Sequence, residues 1–155
     1  EINDSKKVTP KNRKLLSEYI KNNCLSYSIT EVDNNIIDDI NILQATMLSM
    51  NKCIKELSIV PDHIFVDGNY YKDILKINIP FTTIIKGDAI YQSIAAASIL
   101  AKVYRDELLE NLSEKYIGYD LFSNKGYGTK KHIDGIKKHG LTDLHRKSFN
   151  INLNN

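Results

Sequence analysis

Apolar positions recur along the chain with two periods, and the switches between them mark out the elements. Glu1 to Val8 is polar and reads as a loop, with Asn3, Asp4 and Ser5 as turn formers. Thr9-Pro10 then has the form of a helix start, an N-cap followed by proline at the first helical position. Leu15, Leu16, Tyr19 and Ile20 fall on one helical face, and the helix is expected to stop near Asn22 or Asn23. The period drops to two at Leu25, Tyr27 and Ile29, interleaved with Ser26 and Ser28, which predicts a short half-buried strand. After the polar run from Asp33 to Asp39, a longer helix is expected from about Asn41 to Leu57. Its buried face would use Leu43, Met47, Met50, Ile54 and Leu57.

Pro61 opens a second strand, Ile64-Phe65-Val66, and Pro80 a third, Thr82 to Ile85. They stop at Asp67-Gly68-Asn69 and at Lys86-Gly87-Asp88. The longest helix is predicted from about Ile90 to Tyr116. Its first half, Ser93 to Ala101, is small and apolar all round, so close packing on both sides is expected. The chain closes on a Lys125-Gly126-Tyr127-Gly128-Thr129 turn and a basic helix to about His139, with Gly140 as its stop. The pattern is mixed α/β in a single domain over residues 1–155, with a helical part from about residue 120 onward. Three strands are few for this much helix.

Composition narrows the classes. The chain has 155 residues, enough for a real core, and no run of about 18 apolar residues, so no membrane partner is expected. No charged-then-apolar leader opens it, and position 1 is Glu rather than Met, so an upstream segment is expected to be missing. Cys24 and Cys53 match neither a CxxC pair nor a metal-ligand spacing. Both are expected to be buried thiols in a reducing compartment, the cytoplasm. The net charge of +2 conceals an asymmetry: residues 1–22 sum to +3, residues 123–155 to +5 and the middle to −6. Basic ends around an acidic centre suit a protein that grips a polyanion and holds cations near its middle.

Candidate chemistry lies at the strand ends. Asp67 and Asp88 each stand beside a glycine where a strand meets a loop, the place where sites collect in open α/β sheets. Two such carboxylates suit magnesium, which takes one or two of them plus phosphate oxygens and water. The plainer reading stays open, since Asp-Gly is a common turn and Asp88 also fits a helix cap. Tyr127, between glycines and near Lys125, Lys130 and Lys131, is placed to stack on a sugar or base, or is a surface turn. His132 and His139 lie two turns apart without an acidic companion, a poor metal pair. Arg146 and Lys147 beside His145 form a solvated or phosphate-facing cluster, and Ser5-Lys6-Lys7 before a helix N-terminus also suits a phosphate.

Seven segments taken together resemble the ribonuclease HII family. They are Asn3-Asp4-Ser5-Lys6-Lys7, Leu43-Gln44-Ala45-Thr46, Val66-Asp67-Gly68-Asn69, Lys86-Gly87-Asp88, Ala95 to Lys102 with Arg105-Asp106, Lys125 to Thr129, and His145 to Phe149. The resemblance implies a ribonuclease H-like fold, a mixed sheet flanked by helices. It also implies an endonuclease that hydrolyses the RNA strand of RNA–DNA hybrids and cuts at RNA–DNA junctions, leaving 5′-phosphate and 3′-hydroxyl ends by a two-metal mechanism with Mg²⁺ or Mn²⁺. Asp67 matches the third of four carboxylates, a metal ligand, and Asp88 the fourth. Tyr127 matches the tyrosine that packs on the junction sugar, and Lys6, Lys7 and Arg146 match basic positions near phosphates. Asp106 fits a helix-surface role. The partner implied is an RNA–DNA hybrid or DNA with embedded ribonucleotides, bound by a monomer. The family's Asp-Glu followed by a Gly-Arg-Gly loop, Asp-Glu-Ala-Gly-Arg-Gly, does not occur in this chain, so the first strands and half the carboxylates are expected to be absent. A noncatalytic nucleic-acid-binding remnant is the alternative. The sister ribonuclease HIII group favours Glu where Asp88 stands.

Overall fold

Thr9 caps the first helix as its sequence predicts, its hydroxyl accepting from the Asn12 amide at 3.3 Å, and α1 runs Pro10–Asn23. The computed structural model describes residues 8–149, so the loop expected over Glu1 to Val8 lies almost wholly outside the described residues. The remaining elements are α2 (Asn34–Glu56), β1 (Ile64–Asp67), β2 (Phe81–Ile84), α3 (Gln92–Lys115), α4 (Leu121–Asn124) and α5 (Lys130–His139). A 3-10 turn over Gly87–Ala89 joins β2 to α3.

Among the described residues the sheet has two strands, not three. β1 and β2 pair in parallel, with Ile64 opposite Phe81 and Asp67 opposite Ile84. Residues 68–80 return the chain between them, and a wholly buried asparagine holds that loop. Asn51 donates from Nδ2 to the carbonyls of Met47 and Lys72, both at 2.9 Å, and accepts at Oδ1 from the Leu75 amide at 3.1 Å. All its polar atoms are thereby satisfied, which burial of an amide demands.

The predicted strand at Leu25 to Ile29 does not form. A strand needs a ladder partner for its amides and carbonyls, and no described strand lies beside it. Its polar side chains bond instead to α2 and the turn after it. The Ser58 amide donates to Ser26 Oγ at 3.1 Å, Ser28 Oγ to Glu56 at 3.0 Å, and Thr30 Oγ1 to the Ser49 carbonyl at 3.0 Å. Leu25 is left 89% exposed.

α2 begins earlier than its apolar pattern suggests, because Asp33 caps it by accepting from the Ile36 amide at 2.9 Å. The helix is broken at Asn41, whose φ of 66° is left-handed. Asn41 Oδ1 then caps the second half by accepting from Leu43 and Gln44. Met47, Met50 and Ile54 pack on Val66 and Tyr71 as expected, whereas Leu43, in the first turn after the break, is exposed.

α3 packs on α1 through Ile99, Leu100 and Val103 against Ile20. Its other side is not packed: Ala97 and Ala101 are exposed and face an apolar cavity of about 670 Å³. The cavity lies between α2, β1, α3 and residues 26–30, walled by Ile20, Ile29, Ile54, Ile94 and Leu100. All four residues of β1 border it, so the strand is paired with β2 and open toward the cavity. Cys24 and Cys53 line the same space. Both thiols are free, Cys24 exposed and Cys53 half-buried, so the expectation of two buried cysteines fails where the cavity leaves them open. A third cluster, Tyr119, Leu121 and Ile136, closes the C-terminal part, with Gly140 (φ +80°) ending α5. No described helix is long and apolar enough to cross a membrane.

Candidate active site

Asp67 is the last residue of β1 and is exposed at its tip. The Gly87 amide donates to Asp67 Oδ1 at 2.8 Å, which fixes one carboxylate oxygen and leaves the other for a ligand. Asp88 follows directly, half-buried in the 3-10 turn. The parallel register thus brings the two predicted carboxylates to one sheet end, joined through Gly87. A Cβ on Gly87 would stand 2.5 Å from Ile94 Cδ1 and 3.4 Å from Ile84 Cβ, so a side chain there would force Ile94 to move.

Two carboxylates at one edge are a donor set of the kind magnesium accepts alongside water and phosphate oxygens. Among the described residues no group of three His, Cys, Asp or Glu side chains converges on a metal position, so the pair is a partial set.

The Lys125-to-Thr129 turn rests on α3. Lys125 (φ 50°) and Gly126 (φ +78°) are left-handed, and Asn124 Oδ1 accepts from the Gly126 amide at 2.7 Å. This conformation lifts Tyr127 out, 64% exposed. Lys125 is paired in this structure: its ammonium bonds Glu110 at 2.7 Å and lies over the Phe122 ring. Lys130 and Lys131 are exposed on the first turn of α5.

Arg146 lies 4.5 Å from the centre of the Phe149 ring, in a segment tied to α2 rather than to α3. Asp38 accepts from the amides of Lys147 (2.7 Å) and Ser148 (3.0 Å) and from the Ser148 hydroxyl. That hydroxyl, then the two amides, hold its carboxyl below the usual range. Asn34 Nδ2 donates to the Asp143 carbonyl at 2.8 Å. Lys6 and Lys7 lie outside the described residues.

His132 and His139 form no metal pair. His132 is buried, its Nδ1 2.9 Å from the Tyr119 carbonyl, and its ring stacks on His145 at 5.3 Å. The Thr142 amide donates to His145 Nδ1 at 3.0 Å, and burial, then His132, push the His145 imidazole below its ordinary pKa.

Asp106 corrects the expectation of a plain surface residue. Its carboxylate is half-buried, 2.8 Å from Lys102 Nζ and 3.6 Å from Arg13. The (i, i+4) spacing of Lys102 and Asp106 was a visible signal, but nothing in the sequence announced Arg13, which arrives from α1.

Comparison with known proteins agrees with this geometry. The family model for ribonuclease HII matches residues 1–152. Ribonuclease HII of Chloroherpeton thalassium is 48% identical over 97% of this chain and 73% of its own length. That of Christiangramia forsetii is 49% identical, over 97% and 75%. Among solved structures, ribonuclease H2 from Pyrococcus horikoshii superposes with a TM-score of 0.79 at 23% identity, covering 96% of this chain and 76% of that one. The ribonuclease HII of Archaeoglobus fulgidus, solved in complex with PCNA, superposes at 0.77 with 22% identity, covering 97% and 79%. The structural likeness shows a ribonuclease H-like α/β fold, and the family match with the sequence identities shows that this chain belongs to the ribonuclease HII family.

Proposed function

We propose that this chain is the larger part of an endonuclease that hydrolyses the RNA strand of RNA–DNA hybrids and cuts at RNA–DNA junctions, acting as a monomer in the cytoplasm. The ribonuclease HII family is metal-dependent, and the reading takes Mg²⁺ or Mn²⁺ as the ion held by Asp67 and Asp88. The observation that carries it is the bond from the Gly87 amide to Asp67 Oδ1, which sets two carboxylates at one sheet end. A divalent ion held there would polarise the scissile phosphate and raise the acidity of the attacking water. The chain's own residues orient and bind. Gly87 keeps Asp67 in one rotamer, Tyr127 offers an exposed ring to the sugar at the junction, and Lys6, Lys7 and Arg146 meet phosphates.

The apolar cavity along β1 supports a second part of this reading, that further strands and carboxylates complete the site from a segment upstream of Glu1. The curated relatives are longer than the part this chain matches. Two described carboxylates and an open strand edge also favour a second reading, a chain that binds hybrids without turnover. One experiment separates them. The chain is incubated with Mn²⁺ and a labelled hybrid, alone and fused to the relatives' N-terminal segment. Cleavage is expected from the fusion only, falling at least about a hundredfold in Asp67→Asn, since loss of positioning alone costs about that much. Metal-dependent cleavage by the bare chain would overturn the incomplete-site reading. A silent fusion would favour the binding remnant.

A further inference from the structure

The ion cluster of Asp106 sits beside the Tyr127 turn, and its arrangement is lopsided. Arg13 is the inner cation, its side chain 10% exposed, its guanidinium also donating to the Val8 carbonyl at 2.9 Å. Lys102 is the outer one, 31% exposed, and its ammonium lies 6.0 Å from the centre of the Tyr127 ring. The Lys102 ammonium is thus the cation of this trio that meets the exposed aromatic. The turn is held against α3, where Arg105 donates to the Lys125 carbonyl at 3.4 Å and a Cβ on Gly126 would stand 3.2 Å from Arg105 Nη2 and 3.4 Å from Leu109 Cδ1.

A free lysine ammonium on four methylenes samples many rotamers and loses that freedom when it binds. Here Asp106 Oδ1 takes one of its three protons at 2.8 Å and leaves two for another acceptor. Arg13 stands 3.6 Å from the other carboxylate oxygen, Oδ2, on the inner side. We propose that Asp106 is a positioning residue of the substrate site, aiming Lys102 so that its ammonium and the Tyr127 ring take a backbone phosphate and the adjacent sugar of one nucleotide together. This rests on the reading of Tyr127 as a substrate contact.

The sign of one substitution tests it. Asp106→Asn removes a negative charge near a polyanion, so a carboxylate that merely repelled phosphate or glued α1 to α3 would bind hybrid equally well or more tightly once it was gone. The positioning role requires weaker binding. Anisotropy of a fluorescein-labelled RNA–DNA hybrid with the full chain, in EDTA and over a salt series, reads this directly. We expect Asp106→Asn and Lys102→Gln each to lower affinity about tenfold and to flatten the salt dependence by about one phosphate contact. The double variant should be no weaker than either single one, since both remove one contact. If Asp106→Asn does not fold, Asp106→Glu keeps the charge and the Arg13 pair while moving the carboxylate. It should weaken binding in the parent chain and change nothing in the Lys102→Gln background. Unchanged or tighter binding for the Asp106 variants, with Lys102→Gln and Tyr127→Ala both weaker, would overturn the positioning role alone. No effect of Lys102→Gln or Tyr127→Ala would remove this face from the substrate site and the proposal with it.

Discussion

The two faces of α3 carry similar sequence and meet different fates. One face buries Ile99 completely and packs Leu100 and Val103 on Ile20 of α1. The other presents Ala97 and Ala101 to the open cavity beside β1. Both faces are apolar, the packed one large and the open one small, so polarity alone does not separate them. What separates them is whether a partner surface has been brought up. The α1 face is satisfied by a helix that packs through side chains alone. The cavity face needs a neighbour that pairs with the β1 edge through its backbone, and residues 26–30, the extended stretch nearby, spend their polar side chains on α2 and the turn after it. A helix face is content with apolar surface, whereas a strand edge also demands hydrogen bonds.

The comparison breaks most visibly in the core. Ile99→Ala should destabilise the chain by about 2–5 kcal/mol, because the methyls it removes leave a void the packed face cannot fill. Ala97→Val, on the cavity side, should stay within about 0.5 kcal/mol, as for substitutions away from tight packing. Urea titration of both variants checks this; equal losses would mean that the two faces are equally packed.

A smaller effect distinguishes the stretch of α3 near Arg105, where the helix seats the Tyr127 turn. Tyr127→Ala should weaken binding of a hybrid with an RNA–DNA junction by about 1–3 kcal/mol, the range for stacking on an exposed ring. Thermal stability should not move, since the ring buries little. A large drop in melting temperature would make Tyr127 a structural residue instead.

The smallest effect concerns the C-terminal cluster, the part of the molecule that is closed on all sides. His145 is held neutral by burial and by His132, below its ordinary value of 6.5. Its Nδ1 accepts from the Thr142 amide, a bond that protonation of that nitrogen would remove. The unfolded chain takes up the proton more readily, so the stabilisation is full above the ordinary pKa and is lost as pH falls below it toward the folded value. Melting temperature should therefore drop modestly between pH 7.5 and 5.5. His145→Asn, which keeps an acceptor near the Thr142 amide and cannot titrate, should flatten the change. An equal drop in both proteins would assign it to other groups.

By itself the sequence determined the helices and the chemistry-bearing strand ends. Thr9-Pro10 starts α1, Gly140 stops α5, and the apolar run with Asp67-Gly68 ends β1, because caps, turns and side-chain period are local properties that neighbours in the chain enforce. Lys86-Gly87-Asp88 was legible as a strand end for the same reason, although the crowding by Ile94 that a side chain at Gly87 would meet was not. Only the tertiary structure decided the rest. The period-two stretch at Leu25 to Ile29 carries every local mark of a strand and is not one, since a strand exists by pairing and the pairing partner is a distant segment. Asn41, where the apolar pattern starts the helix, is a break within a longer α2 whose first half the polar run from Asp33 to Asp39 did not announce. Asp106 passed for a surface residue until α1 brought Arg13 to it, and the pairing of Lys125 with Glu110 had no sign in the sequence. For the unpaired stretch and the ion pairs, the deciding energy comes from contacts between residues far apart in the chain, whose formation depends on which surfaces the whole fold brings together.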